Sequence, residues 1–222
     1  QCDLELHRLV AYINSTLDHV LVGWCGDKIE DVELILYSDA DFAGDATSKS
    51  TSGVFMEMKG PDTRFMISAI SKTQSCVSHS TPEAEIVAAD FALRSVGIPA
   101  LILWDRVVGK ASKVIFMEDN EATIRICQSG KNPTMRHLGR THRVSISWLH
   151  ERFTERWQDL RYIKSDYQAA DIFTKQFTNV VKWRTNLKLI HVVNPKLQWK
   201  QDSFWTEDIH GLTKKEKEKA KG

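Results

Sequence analysis

YSDADFAGD, Tyr37 to Asp45, decides the fold. The apolar run Val32 to Tyr37 reads as a buried strand and delivers a carboxylate, Asp39, at its end. A buried carboxylate is costly unless something cationic neutralises it. Three more acids recur downstream in suggestive settings: Glu85 in STPEAEIVAAD, Asp119 in VIFMEDNEATI and Asp171 in QAADIFTK. Each has a plain explanation on its own. Asp39 suits a turn, Glu85 a first helical turn, Asp119 an N-cap and Asp171 a helix surface. Together they say more. Asp39 and Asp119 end strand candidates, while Glu85 and Asp171 fall early in helix candidates. Where helices flank a sheet, such positions gather at one side of it. Four carboxylates there repel one another unless counter-charged, which is the condition for holding two hard divalent cations on oxygen ligands.

The 222 residues allow one fairly large domain with appendages or two small ones, and 42% hydrophobic content with seven tryptophans is ample for a core. The net charge of +1 excludes nucleic-acid binding by bulk positive charge, so any such binding must come from local patches. Cys2, Cys25, Cys76 and Cys127 form no CxxC pair and read as free thiols in a reducing compartment. No apolar run is expected to reach membrane-spanning length, and no signal peptide is evident. The chain opens mid-helix in character, as a piece of a longer polypeptide would.

Working outward, Leu4 to Val22 predicts a helix with Leu6, Leu9, Val10, Ile13 and Leu17 on one side, suited to packing on an upstream domain. Gly23 to Asp31 reads as a polar turn. Gly53–Met58 and Phe65–Ile70 are strand candidates joined by Lys59-Gly60-Pro61-Asp62, so with the first strand they predict an antiparallel meander. From Pro82 the period becomes helical, Gly97 and Pro99 predict a break, and Leu101–Val108 reads as a second, shorter helix. A short strand at Val114–Met117, a helix from Asp119, a basic loop from Lys131 to Arg143 and a helix around Val144–Phe153 follow. A strand at Leu160–Lys164 and a helix at Tyr167–Phe177 complete the α/β order, a mixed sheet of five strands flanked by helices. The boundaries expected are a connector at 1–30, a domain at 31–193 and a polar tail at 194–222, its Lys/Glu-rich end at Lys214–Gly222 solvated.

This order, carrying Asp, Glu, Asp and Asp, resembles the type 1 ribonuclease H fold. The motifs are closer still to the ribonuclease H domain of copia-type (Pseudoviridae-like) LTR retrotransposon polyproteins. Such domains have an SDADxAG-like strand end, a KSTSG-type loop, an STxEAE helix start, a strand ending in DN and a late ADIxTK box. All five occur here in order between Tyr37 and Lys175, about two thirds of the chain. The connector, with Tyr12 and Thr16, resembles the segment that follows the reverse transcriptase in those polyproteins.

The resemblance implies a ribonuclease H-like fold and an endonuclease that hydrolyses the RNA strand of RNA–DNA hybrids with two Mg2+ ions, Mn2+ being a substitute. The products would carry 5′-phosphate and 3′-hydroxyl ends. It implies an adjoining reverse transcriptase and an intracellular, cytoplasmic setting within a virus-like particle. Asp39 would bridge two metals, Asp119 would complete the first shell and Asp171 the second, and Glu85 rather than Glu83 would be the helix acid. Asp41 and Glu118 would be outer neighbours or solvated. Type 1 enzymes often carry a histidine in a mobile loop before the last acid, and the stretch between Tyr162 and Asp171 has none. His137 and His142 are the substitutes on offer, though phosphate contacts or surface positions suit them better; with Cys127 they fit no zinc spacing.

Candidate contacts to nucleic acid are Lys131, Arg136, Arg140 and Arg143, a stripe with no acid in it. Ser50, Thr51 and Ser52, in a run of short donors that begins at Ser48, and Asn120 beside Asp119 are the others. A solvated loop, a plain hairpin loop and a helix start are the respective alternatives. Trp104, Trp148 and Trp157 read as core, while Trp183, Trp199 and Trp205 suit anchoring of the C-terminal segment. The competing function is a non-catalytic ribonuclease-H-like module that binds or scaffolds nucleic acid. Loss of one acid is its usual mark, and all four are present.

Overall fold

The structure is a computed structural model and describes residues 2–44 and 47–195. Helix α1 spans Cys2–Ser15, followed by the two-residue strands β1 (Val20–Leu21) and β2 (Trp24–Cys25). The meander is β3 (Glu33–Asp41), β4 (Thr51–Gly60) and β5 (Thr63–Thr73). Then come α2 (Thr81–Ala92), α3 (Ile98–Val108), β6 (Val114–Glu118), α4 (Glu121–Ser129), the single turn α5 (Leu138–Thr141), α6 (Ile146–Thr154) and β7 (Gln158–Tyr162). Two 3-10 turns at Ser165–Tyr167 and Ala169–Phe173 lead to α7 (Val180–Leu189) and β8 (Val192–Val193).

The main sheet runs β2-β5-β4-β3-β6-β7, with β3, β4 and β5 antiparallel and β6 and β7 parallel to β3 and to each other in turn. The mixed sheet was expected with five strands and has six. The sixth, β2, lies in the stretch read as a polar turn. At two residues it is too short to show a period of two, and Gly26 N–H donating to Asp62 O helps hold it to the hairpin.

Both faces of the sheet are buried, which is why β3, β4 and β6 read as nearly continuous apolar runs. Leu34, Leu36, Val54, Met56 and Phe116 pack against the helices of one face around α2. Ile35, Tyr37, Phe55, Ile115 and Met117 pack under Ala169, Ala170 and Phe173 on the other. Because side chains alternate along a strand, Asp39 shares the face of Ile35 and Tyr37, while Ala40 turns to Ala84 and Ala88 of α2.

The break expected at Gly97 and Pro99 does not form. One helical rod runs from Thr81 to Val108, widening to a π turn at Leu93–Gly97, where the Ile98 N–H reaches back to Leu93 O. The widened turn absorbs the donor that Pro99 lacks. Gly97 is needed for the approach to the sheet, since a Cβ there would lie 2.8 Å from Leu36 Cδ2. The rod is, by length and composition, apolar enough to cross a membrane, contrary to the expectation that nothing would be. Its first half is the central core helix of the domain, with Glu83, Glu85 and Asp90 buried on it.

Elsewhere the corrections are local. The first helix ends at Ser15, short of Val22, and buries none of its residues; Tyr12 meets Trp183 of α7 edge-on, ring centroids 5.7 Å apart. β1 pairs with β8, tying the residues that follow α1 to Val192–Val193. The final helix expected at Tyr167–Phe177 is two 3-10 turns, with the α-helix beginning only at Val180. Trp104, Trp148 and Trp157 pack against the core as expected. Trp199, Trp205 and the Lys214–Gly222 tail lie outside the described residues.

Candidate metal centre

Asp39 lies within β3, two residues short of its end, and is 1% exposed. The parallel ladder between β3 and β6 runs from Leu34↔Val114 to Tyr37↔Met117. The same offset carried two residues further sets Asp39 beside Asp119, which follows the last residue of β6. Asp171 arrives from the opposite direction, on the 3-10 turn Ala169–Phe173 laid over β3 and β4. That turn fits because Gly53, the cross-strand partner of Asp39, has no side chain. A Cβ at Gly53 would sit 2.7 Å from both Ala170 O and Thr174 Cγ2. Gln168 Nε2 donating to Ser38 O at 3.0 Å and Ser71 Oγ donating to Phe173 O at 2.6 Å hold the turn in place.

The outcome is that carboxylate oxygens of Asp39, Asp119 and Asp171 all lie within 4.8 Å of one another. Glu85, expected as a fourth ligand beside them, stands outside this tight group. It comes from α2 on the other face of the sheet and lines the same cleft of about 530 Å³, with Asp39, Asp41, Asp119, Asn120, Ser165 and Lys175.

Glu118, expected as an outer or solvated neighbour, is not solvated: it is 0% exposed, with Oε1 accepting from Asn120 N and Oε2 without a partner among the described residues. Glu85 Oε2 is likewise buried and unpartnered. Burial, then Glu118, Asp39 and Asp119 in turn, push the Glu85 carboxyl well above its ordinary pKa. Burial does the same to Glu118, with Asp119 and Asp39 adding to it against the pull of the Asn120 N–H. Asp171 rises to about 7 through burial and the Asp39 charge, and Asp41 rises for the same two reasons.

Among the described residues one cation answers these acids, and the sequence assigned it no role. Lys175 Nζ lies 3.0 Å from Asp39 Oδ1 and 2.8 Å from Asp171 Oδ1. Burial works against its charge, but the two aspartates outweigh burial and hold the ammonium above its ordinary pKa. Thr174 donates its hydroxyl to Asp39 Oδ2, and Ser165 donates to Asp119 Oδ2. The signal was the spacing: Lys175 follows Asp171 by four residues inside the quoted ADIFTK box.

The candidate nucleic-acid contacts divide. Ser50 and Ser52 are buried, and their hydroxyls accept from Ala43 N and Gln74 Nε2, so neither faces a ligand. They are part of the strand start, not of an open loop, whereas Thr51 between them is half-buried. Asn120 rather than Asp119 is the N-cap of α4, its Oδ1 accepting from Ala122 N and Thr123 N, which frees the Asp119 carboxylate for the cleft. Lys131, Arg136, Arg140 and Arg143 are exposed, and among the described residues none of them pairs with an acid.

His137 and His142 do not reach the acid cluster. Their Nε2 atoms lie 3.1 and 3.4 Å from Oε1 of Glu83; the His142 side chain is buried and so is no surface residue, whereas that of His137 is 36% exposed. Glu83 and Glu85, two positions apart, thus face different partners, as helical geometry requires.

No protein-family profile matches the chain. Among solved structures it is similar to a ribonuclease H1 isolated from compost by a metagenomic approach. Identity is 18%, the match covers 64% of this chain and 92% of that one, and the TM-score is 0.44. A structure of that ribonuclease H1 in complex with an RNA/DNA hybrid matches at a TM-score of 0.46, again with 18% identity, over 64% of this chain and 94% of that one. The protease–reverse transcriptase of prototype foamy virus matches at 14% identity over 77% of this chain and 22% of its own length, with a TM-score of 0.40. The fold assignment rests on the strand order, ladder directions and flanking helices. This is an α/β domain with a ribonuclease H-like fold.

Proposed function

We propose that the chain is a ribonuclease H, an endonuclease that hydrolyses the RNA strand of an RNA–DNA hybrid with two divalent cations. The observation that supports it most directly is the convergence of Asp39, Asp119 and Asp171 within 4.8 Å at one end of the sheet's inner strands. The donor set fits hard cations: every ligand atom on offer is a carboxylate oxygen. The orphaned buried oxygens of Glu85 and Glu118 add acceptors that nothing among the described residues satisfies. Asp39, at the centre, would be shared by both ions, with Asp119 and Glu85 serving one and Asp171 the other. Such a pair supplies an activated water and stabilises the leaving oxygen of the phosphodiester.

The chain's own residues do the rest. Asn120 fixes the start of α4 beside Asp119, and Gln168 and Ser71 hold the turn bearing Asp171 at a set distance from β3. Lys131, Arg136, Arg140 and Arg143, on a segment anchored to α2 through Glu83, offer a stripe for phosphates outside the acid cluster. The exposed apolar residues of α1, Leu4, Leu6, Leu9, Val10 and Ile13, suit an adjoining domain, which we take to be a reverse transcriptase of a copia-type retrotransposon polyprotein acting in the cytoplasm. The test is direct. Incubated with an end-labelled RNA–DNA hybrid, the purified chain should cut only the RNA strand, only with Mg2+ or Mn2+, and leave 3′-hydroxyl ends. Metal-independent cutting, or equal cutting of both strands, would refute the assignment.

A further inference from the structure

The two ends of the acid cluster are not equivalent. At one end, Asp39 Oδ1 and Asp171 Oδ1 share the Lys175 ammonium at 3.0 and 2.8 Å. The Thr174 hydroxyl takes the second oxygen of Asp39, so adjacent residues of one short segment engage both. At the other end, Glu85 Oε2 and Glu118 Oε2 are buried with no partner, and Asp119 is met only by a neutral hydroxyl, Ser165. Five acids therefore gather here, and their one internal counter-charge, among the described residues, sits at the Asp171 end.

We infer that Lys175 is a tethered cation that occupies the Asp39–Asp171 seat in the metal-free protein and makes the two metal ions load in a fixed order. The inference rests on the two-metal reading above. An ion held by both Oδ1 atoms would compete with the ammonium for the same two oxygens, since both already converge on Lys175 Nζ. Two cations cannot share that seat, so the ion must first push Lys175 aside. The seat formed by Asp39, Asp119 and Glu85 carries no such obstacle and has buried oxygens in need of a cation. The first ion goes there. Its arrival also lowers the negative charge on Asp39 that retains Lys175, which eases entry of the second ion. The Lys175 side chain is 38% exposed, against 1% for Asp39, so it has solvent to move into.

A plain structural ion pair has a different signature. It would stabilise the fold by the same amount with or without metal, and its removal would leave metal affinity alone. Calorimetric titration of the full chain with Mn2+, with no nucleic acid present, separates the two. The wild type should bind two ions in sequence, the second about tenfold or more weaker than the first. Lys175→Met should tighten the second site by about tenfold while leaving the first within about twofold. Lys175→Gln should behave as Lys175→Met, and Lys175→Arg should keep the weak second site.

Thermal melts supply the second readout. In EDTA the Lys175→Met protein should melt below the wild type, because Asp39 and Asp171 lose their counter-charge. At saturating Mn2+ that gap should close or reverse. A second site that is unchanged or weakened in both neutral variants would overturn the role of Lys175 while leaving the two-metal reading intact. Binding of one ion or none by wild type and variants alike would overturn the two-metal reading, and the ordering with it.

Discussion

Glu57 and Glu118 are both fully buried glutamates on central strands of the same sheet, yet they are opposites. Around Glu57 the chain has built its own answer. Tyr37 Oη donates to Oε1 at 3.0 Å, His191 Nε2 lies 2.9 Å from Oε2, and Lys59 Nζ lies 3.9 Å away. Burial alone would raise the Glu57 pKa, but the His191 contact, then Lys59 and Arg64, turn it below its ordinary value. Glu118 has a backbone N–H on one oxygen, nothing among the described residues on the other and acids for neighbours, so burial, reinforced by Asp119 and Asp39, raises its pKa instead. A buried acid that the chain neutralises for itself is a structural member. One left short of a counter-charge is an open valence for a cation from outside. The contrast, more than the number of acids, marks the end of the sheet at Asp39 as the site.

The largest effect should come from the shared aspartate. Asp39→Asn is expected to reduce hybrid cleavage by more than about a hundredfold, since changes even one step removed from a metal reach that size. Metal-free stability should hold or rise as repulsion is relieved, and a wild-type cleavage rate in a folded mutant would remove Asp39 from the site. The converse holds at the other cluster. His191→Ala should cost about 3 kcal/mol of unfolding free energy by leaving Glu57 buried and under-compensated, with Mn2+ affinity unchanged by calorimetry.

On one helix, Glu85→Gln should cut cleavage about a hundredfold with little loss of stability. Glu83→Gln should leave most activity but cost about 1–2 kcal/mol in urea unfolding, because the buried carboxylate charge that faces His137 and His142 is lost. An inactive but stable Glu83 mutant would mean the two residues have exchanged roles.

The two clusters should also respond to pH with opposite sign. Asp171 titrates near 7 in the folded chain against an ordinary 3.8, so the unfolded state loses that proton first. In EDTA its contribution to stability should therefore be present at low pH and be lost as pH rises from about 4 through about 7. Asp171→Asn should flatten that fall. Glu57, held low when folded, contributes stability above its ordinary value of 4.5 that is lost as acid titrates it below that point. Equilibrium unfolding at a series of pH values, with each single mutant, reads both slopes. The smallest change is expected at the basic stripe. Charge reversal at Arg136, Arg140 and Arg143 should weaken hybrid binding without sequence preference and reduce the salt slope by roughly 0.9 for each phosphate that is no longer neutralised.

The sequence by itself determined most of the order of elements, a sheet flanked by helices and the four acids at one end of it, but not β2 or the 3-10 turn that carries Asp171. Local rules suffice for those, since a period of two or 3.6 is written in neighbouring residues and Asp39 announces itself by interrupting an apolar run. The resemblance chose Glu85 over Glu83, and helix spacing adds that two residues two positions apart point in different directions. The sequence misjudged the rod from Thr81 to Val108, where packing of Gly97 on Leu36 and one widened turn override the break that Pro99 signals. Only the tertiary structure decided which acids are answered. His191 reaches Glu57 across 134 positions, and Lys175 reaches Asp39 across 136. Coulomb energies depend on distance in space and on the exclusion of water, neither of which is written in the spacing of residues along the chain.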